Sequence, residues 1–231
     1  MNLAVIPARG GSKRIPRKNI KIFGDKPIIA WSIKAAQNTG IFDKIIVSTD
    51  DAEIAEVAQE YGAETPFERP AELSGDHIGL KPVISHAIKW QKLHGLDPQH
   101  ICCIYATAPF IRENELKLGI QKLEKSQADF AFAVTSFAFP IQRAVKLRTD
   151  GRVEMFDSTQ FDKRSQDLTE AYHDAGQFCW GKQESWLADK PIFGTGSIPI
   201  LLPRYRVLDI DTEEDWQHAE LLMQVMNQRP K

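Results

Sequence analysis

The stretch LAVIPARGGSKRIPRKN (residues 3–19) joins a short apolar run to a loop with two glycines and many basic side chains. The apolar run predicts a buried β-strand. Further strands are predicted at 44–49, 100–105, 128–135 and 198–202. Helical patterns lie between or after them, at 27–38, 51–61, 82–93, 114–125 and 213–226. This alternation is typical of an α/β fold with a mostly parallel sheet that helices cover on both faces.

The alternation breaks between residues 137 and 182. Two short β-like pieces, at 143–147 and 153–156, flank a turn at 149–151, and a polar stretch follows. We interpret 137–182 as an insertion, a lid or a dimer arm, within a single domain of residues 1–231.

The composition suits a soluble globular domain. The chain has 231 residues, of which 42% are hydrophobic and 26% charged, and its net charge is −2. The near balance of charge does not favour a nucleic-acid or membrane partner. No apolar run approaches the roughly 18 residues that span a bilayer, and we see no signal peptide. Because three cysteines make no disulfide framework, we expect a cytoplasmic protein.

The loop after the first strand predicts phosphate binding. Six basic residues fall within thirteen positions, and no acidic residue appears before Asp25. Loops at the carboxyl ends of parallel strands bind ligands in open α/β sheets, and glycines let a phosphate approach the backbone. The alternative is a solvated basic loop. The P-loop and dinucleotide-binding spacings are both absent.

A second motif, VLDIDTEEDW at 207–216, concentrates five acidic residues in seven positions. In an extended chain Asp209 and Asp211 share one side, with Ile210 turned to the core. Two such carboxylates suit Mg²⁺. Thr212 and Asp215 instead resemble a capping box at the start of the last helix. A cationic loop and a metal-binding pair together suggest a nucleoside triphosphate that loses pyrophosphate.

These motifs carry a resemblance to a known family. The stretches IPARGGSK (6–13), Lys18-Asn19, Ser48-Thr49-Asp50, RPAEL (69–73) and Asp209-Ile210-Asp211 resemble the CMP-sialic acid synthetase family of sugar-acid cytidylyltransferases. The stretches RSQDL (164–168), EAYHDAGQF (170–178) and LPRYRV (202–207) are most similar to its pseudaminic acid branch.

The resemblance implies a Rossmann-like nucleotidyltransferase domain with an inserted β-rich dimerisation element, and therefore a homodimer. In the implied reaction the anomeric hydroxyl of the nine-carbon sugar acid attacks the α-phosphate of CTP. The products are a CMP-sugar and pyrophosphate. The expected substrate is pseudaminic acid, with N-acetylneuraminic acid or a related sugar acid as the alternative.

The resemblance also implies site residues by position. The implied nucleotide-binding residues are Ala8, Arg9, Gly10, Gly11, Ser12, Lys13, Lys18, Asn19 and, near the cytosine, Arg69. Mg²⁺ is the implied cofactor, bound by Asp209 and Asp211. The implied catalytic residues are Arg9, Lys13, Lys18 and Asp211. The group that takes the hydroxyl proton stays open between Asp211, a metal-bound alkoxide and a substrate group.

The sugar acid needs further contacts, and polar residues near and within the insertion offer them. Tyr105 stands where sialic acid synthetases usually carry a glutamine. Arginine can hold a carboxylate through two hydrogen bonds. The proposed sugar-binding residues are Tyr105, Arg143, Arg164, Tyr172, His173 and Gln177. The alternative for the residues of the insertion is a surface or dimer-interface contact.

Two other functions remain. A nucleotide sensor of the same fold would use the loop without catalysis. A glycosyltransferase would use the Asp-x-Asp pair on a nucleotide sugar, although such pairs usually lie in the middle of the chain.

Overall fold

The computed structural model describes residues 1–228, and a six-stranded sheet lies at its centre. The strands are β1 (Asn2–Pro7), β2 (Ile22–Phe23), β3 (Lys26–Pro27), β4 (Lys44–Ser48), β5 (His100–Ile104), β6 (Phe130–Ser136), β7 (Val145–Leu147), β8 (Val153–Met155), β9 (Tyr172–Lys182) and β10 (Ser197–Leu201). The helices are α1 (Ile28–Thr39), α2 (Ala52–Glu60), α3 (Leu80–Leu93), α4 (Glu113–Glu124), α5 (Gln183–Leu187) and α6 (Glu213–Gln228).

The order of strands in the sheet is β10-β6-β9-β5-β1-β4. Five of these strands run in one direction, and β9 runs antiparallel between β6 and β5. The mostly parallel α/β fold expected from the alternating pattern is therefore confirmed.

Both faces of the sheet are buried because side chains alternate along each strand. In β1, Leu3 and Val5 pack in the cluster that contains residues of α3 and α5. Ala4 and Ile6 face the other way, into the cluster with residues of α1, α2 and α4. Burial on both faces explains why the strands read as continuous apolar runs.

The helix boundaries follow local signals. Helix α1 starts after Pro27 and ends at Gly40, which has a φ of 65°. The Asp51 side chain caps α2 by accepting a hydrogen bond from the Ile54 amide at 3.0 Å. No helix in the described part of the chain is long and apolar enough to cross a membrane.

The last part of the insertion predicted at 137–182 lies in the central sheet. Strand β9 begins at Tyr172 and lies in the middle of the sheet, so only 137–171 leaves it. The first residues of β9 are polar, so the sequence there lacks the apolar pattern of a central strand. Within 137–171, β7 and β8 form the expected separate hairpin, with Gly151 in the left-handed region of its turn.

A third apolar cluster links the two ends of the chain. Ile15 of the first loop and Ile210 of the acidic motif are both buried in this cluster with Phe110 and Trp216. Because Ile210 lies between Asp209 and Asp211, the cluster brings the acidic pair toward the basic loop.

Candidate active site

The first loop, which we call the basic loop (residues 8–21), is held in place by two polar contacts. The Gly10 amide donates to Asp50 Oδ1 at 3.1 Å. The buried Asn19 donates from Nδ2 to the Arg9 carbonyl at 2.9 Å. The cationic side chains therefore extend from a backbone that is held near both of its ends.

The small residues of the basic loop leave one side of its turn open. Ala8 is buried and donates its N–H to the Ser48 carbonyl at 2.9 Å. The Ser12 amide donates to the Gly10 carbonyl at 3.0 Å, which makes a tight turn around Gly11. A Cβ atom at Gly11 would meet no atom within 4 Å. A phosphate can approach the backbone on this open side.

The basic loop and the acidic pair meet directly. Lys18 Nζ donates to the Ile210 carbonyl at 2.7 Å and lies 3.3 Å from Asp211 Oδ1. Arg14 pairs with the other oxygen of Asp211 at 2.8 Å. Opposite charges from the two ends of the chain therefore converge at Asp211.

Asp209 and Asp211 have the alternation that the sequence predicted. Ile210 between them is fully buried. Desolvation of its carboxylate, and then the charge of Asp211, raises the pKa of Asp209 above its usual range. A cation between the two carboxylates would relieve this repulsion, and Mg²⁺ prefers such oxygen ligands. Among residues 1–228 no group of three or more His, Cys, Asp or Glu is placed to hold a metal.

Three further interactions support the acidic segment. Arg206 is buried and pairs with Glu115 of α4. The Arg206 carbonyl accepts a hydrogen bond from Gln177 Nε2 at 2.9 Å. Thr212 and Asp215 form the expected capping box, with Asp215 Oδ2 accepting from the Thr212 amide at 2.7 Å. The segment therefore enters α6 in a defined direction.

Asp76 is a site residue that the sequence did not reveal. Its Oδ1 lies 2.6 Å from Arg9 Nη1, and its other oxygen pairs with Lys13. Lys13 first and then Arg9 hold the pKa of Asp76 below its usual range. No motif marks Asp76, which lies 67 positions after Arg9.

A cleft of about 210 Å³, here the loop cleft, opens beside the basic loop. Five of its lining residues are predicted site residues, namely Arg9, Lys18, Asn19, Arg69 and Tyr105. Arg69 is buried and donates from Nε to Ser48 Oγ at 3.1 Å. Burial lowers the pKa of Arg69. The loop cleft is therefore lined by three cationic side chains, those of Arg9, Lys18 and Arg69.

A larger cavity of about 510 Å³, here the β6–β10 cavity, runs along β6 and β10, from Ser197 at the start of β10 to Leu201 at its end. Phe132, Val134 and Leu201 supply apolar walls, and Tyr172 and His173 also line it. It adjoins the loop cleft because the hydroxyl of Tyr105, from the cleft, donates to Asp174, from the cavity, at 3.4 Å.

The predicted sugar-binding residues are distributed unevenly. Tyr105, Tyr172 and His173 reach these two cavities. Gln177 is only 3% exposed, and its bond to Arg206 does not favour a direct sugar contact. Arg143 and Arg164 lie exposed in the 137–171 segment, where Arg143 Nη2 donates to the Lys163 carbonyl at 2.5 Å.

A protein-family model described as "Cytidylyltransferase" matches residues 3–229. The chain belongs to the cytidylyltransferase family. A pseudaminic acid cytidylyltransferase of Campylobacter jejuni (strain 81-176) is 49% identical to this cytidylyltransferase and covers 97% of each chain. An N-acylneuraminate cytidylyltransferase of Escherichia coli O18:K1:H7 is 30% identical, over 98% of this chain and 53% of that relative. The resemblance seen in the motifs is therefore confirmed.

Solved structures have the same fold as this cytidylyltransferase. A CMP:2-keto-3-deoxy-manno-octonic acid synthetase complexed with CTP has a TM-score of 0.70 at 15% identity, over 97% of this chain and 99% of that one. A 4-diphosphocytidyl-2C-methyl-D-erythritol synthase from Anaerococcus prevotii has a TM-score of 0.64 at 14% identity, over 96% of each chain. Both support the nucleotidyltransferase fold.

Proposed function

We propose that this cytidylyltransferase converts CTP and pseudaminic acid to CMP-pseudaminic acid and pyrophosphate. The observation that carries the proposal is the convergence of Lys18 and Arg14 on Asp211, because it joins the phosphate-binding loop to the acidic pair. The relative that is 49% identical supports the choice of sugar acid.

In this proposal the basic loop binds the triphosphate. Arg9 and Lys13 release Asp76 and turn to the β- and γ-phosphates, where they offset the charge that grows on the leaving pyrophosphate. Lys18 keeps its contacts with the Ile210 carbonyl and Asp211, and so joins the loop to the acidic pair. The backbone of Ala8, Gly10, Gly11 and Ser12 lies along the phosphates. Asn19 stabilises the conformation of the loop through its hydrogen bond to the Arg9 carbonyl. Arg69 lies near the cytosine of CTP.

Mg²⁺ is the proposed cofactor, with Asp209 and Asp211 as its protein ligands. When bound, Mg²⁺ neutralises phosphate charge and polarises the α-phosphate. The repulsion between the two carboxylates supports the assignment. The remaining ligands would be phosphate oxygens and water.

The sugar acid would occupy the β6–β10 cavity, beside the loop cleft. Tyr105, Tyr172 and His173 are the proposed contacts that border these spaces. Arg143 and Arg164 remain proposed ligands of the sugar-acid carboxylate, because a guanidinium group can hold a carboxylate through two hydrogen bonds. The buried Gln177 supports the site indirectly, through its hydrogen bond to the Arg206 carbonyl.

The direct test measures pyrophosphate release from CTP and Mg²⁺ with each sugar acid in turn. We expect the highest kcat/KM with pseudaminic acid. A higher kcat/KM with N-acetylneuraminic acid would make that sugar acid the assigned substrate instead. Tight CTP binding without turnover of any sugar acid would favour the nucleotide sensor.

A homodimer is part of the proposal. In the β7–β8 hairpin, Val145 pairs with Met155 and Leu147 with Val153, so one face is apolar. Leu147 is 80% exposed and Val153 65%. A two-stranded hairpin is marginal by itself, and a second copy of the chain would cover this face. A cytoplasmic location fits the three free cysteines, all buried.

A further inference from the structure

Asp174 lies where the loop cleft and the β6–β10 cavity meet. It lines the β6–β10 cavity, and its Oδ2 accepts the hydrogen bond from Tyr105. Its Oδ1 accepts a hydrogen bond from the Gly176 amide at 3.0 Å. Both partners are neutral donors, and each Asp174 oxygen has a further lone pair that can accept a hydrogen bond from a ligand.

A β-bulge gives Asp174 this position. Between the pairs Val134–Asp174 and Phe132–Cys179, β6 has one residue and β9 has four. Gly176, within these four, has a φ of 60°. Bulges re-aim side chains and are common beside active sites.

The same bulge brings β9 close to the acidic pair. A Cβ atom at Gly176 would lie 3.9 Å from Asp209 Oδ1. Asp174, two residues before Gly176, therefore lies near Asp209 and also lines the β6–β10 cavity. The negative charges of Asp174 and Asp209 would repel the carboxylate of a sugar acid. The same oxygens would attract an N–H or O–H donor of the sugar acid.

The β6–β10 cavity complements such a donor. Beyond Asp174, Tyr172, His173 and Ser197 its walls are apolar, with Val134 and Pro199 on the sheet and Phe193 against Phe132, ring centroids 5.3 Å apart. An acylamino group has this pattern: an N–H that donates, followed by an apolar acyl chain.

We infer that Asp174 determines sugar specificity by accepting a hydrogen bond from an acylamino N–H or neighbouring hydroxyl of the sugar acid, while the acyl group fills the β6–β10 cavity. The inference rests on the proposed function. It assigns Asp174 a role in binding the sugar acid, not in the transfer of the nucleotide.

The test compares the kinetics of Asp174→Asn and Asp174→Ala with those of the wild type, with CTP, Mg²⁺ and pseudaminic acid. We expect KM for the sugar acid to rise about 10-fold or more in both, because a charge-assisted hydrogen bond is lost. KM for CTP and kcat should change less than about threefold. Combining Asp174→Asn with Tyr105→Phe separates the roles: if Asp174 served only to hold Tyr105, Asp174→Asn would cause no further rise in the Tyr105→Phe background.

Asp97→Asn is the matched control, since Asp97 is an exposed carboxylate that precedes the amino end of β5 and lines neither cavity. Thermal unfolding of each variant checks the fold, and calorimetric titration of the sugar acid gives its affinity directly. A large loss of kcat at unchanged KM, or wild-type affinity in both Asp174 variants, would overturn the inference. If wild type releases no pyrophosphate, the proposed function fails; the inference then stands only if calorimetry shows sugar-acid binding that Asp174→Asn weakens.

Discussion

At the scale of the residue, the proposed chemistry depends on Asp211. It is one of the two proposed metal ligands and forms ion pairs with Arg14 and Lys18. Asp211→Asn keeps the shape and removes the charge. We expect kcat to fall about 100-fold or more because the divalent ion loses a ligand.

Binding of CTP without Mg²⁺ should not weaken in Asp211→Asn, since the variant also frees two cations for phosphate. Glu214→Gln, on the exposed first turn of α6, is the control. A kcat equal to that of the wild type would remove the metal assignment.

Asp51 shows how one residue supports the loop through its charge. Arg17 has a left-handed φ of 54°, and its Nη1 lies 2.5 Å from Asp51 Oδ2. The hydrogen bond from Arg17 lowers the pKa of Asp51 from 3.8 to about 2. Because the folded-state pKa is below the unfolded one, the stabilisation is complete above about pH 5 and is lost as the pH falls toward 2.

Asp51→Asn should therefore reduce the free energy of unfolding by about 1 kcal/mol at neutral pH, after allowance for solvent screening. Asparagine still caps α2, so the change isolates the charge. Urea unfolding of both proteins should give a difference that shrinks between pH 5 and pH 2. An unchanged difference at low pH would contradict the ion-pair explanation, and Asp25→Asn, exposed near β3, is the control.

At the scale of the element, the basic loop depends on its close approach to α2. A Cβ atom at Gly10 would lie 2.6 Å from Asp51 Oδ2 and 3.1 Å from Asp51 Cβ, whereas Gly11 has open surroundings. Gly10→Ala should move the loop or the cap. We expect KM for CTP to rise about 10-fold and the melting temperature to fall by a few degrees.

Gly11→Ala is the matched control and should leave the melting temperature within about one degree, since a surface change has a small effect on stability. Differential scanning calorimetry and pyrophosphate release measure the two effects. Equal melting temperatures for both variants would show that the contact with Asp51 does not constrain the loop.

At the scale of the whole molecule, the exposed hairpin predicts assembly. The wild type should have twice the mass of the 26.1 kDa chain in light scattering. Leu147→Asp should give a monomer, because a charge would be buried in the apolar face. Leu93→Asp, at a position 84% exposed at the end of α3, should stay dimeric. A monomeric wild type at micromolar concentration would refute the dimer.

Much of the fold was predictable because its signals are local. The apolar runs, the glycine after α1 and the Thr212–Asp215 capping box act over a few neighbours, and all are found. Strand β9 was only partly predictable, because its polar first residues Tyr172, His173 and Asp174 lack the apolar pattern of a central strand. Its antiparallel place between β5 and β6 depends on pairing over long separations.

The sequence by itself determined the α/β class, the cationic loop, the alternation of Asp209 and Asp211 around Ile210, and the family. Only the tertiary structure decided which groups meet. Asp76 pairs with Arg9, Asp174 joins the two cavities, and Ile15 packs in the same cluster as Ile210. The physical reason is that periodicity and capping are properties of adjacent residues, whereas these contacts arise from the packing of distant segments.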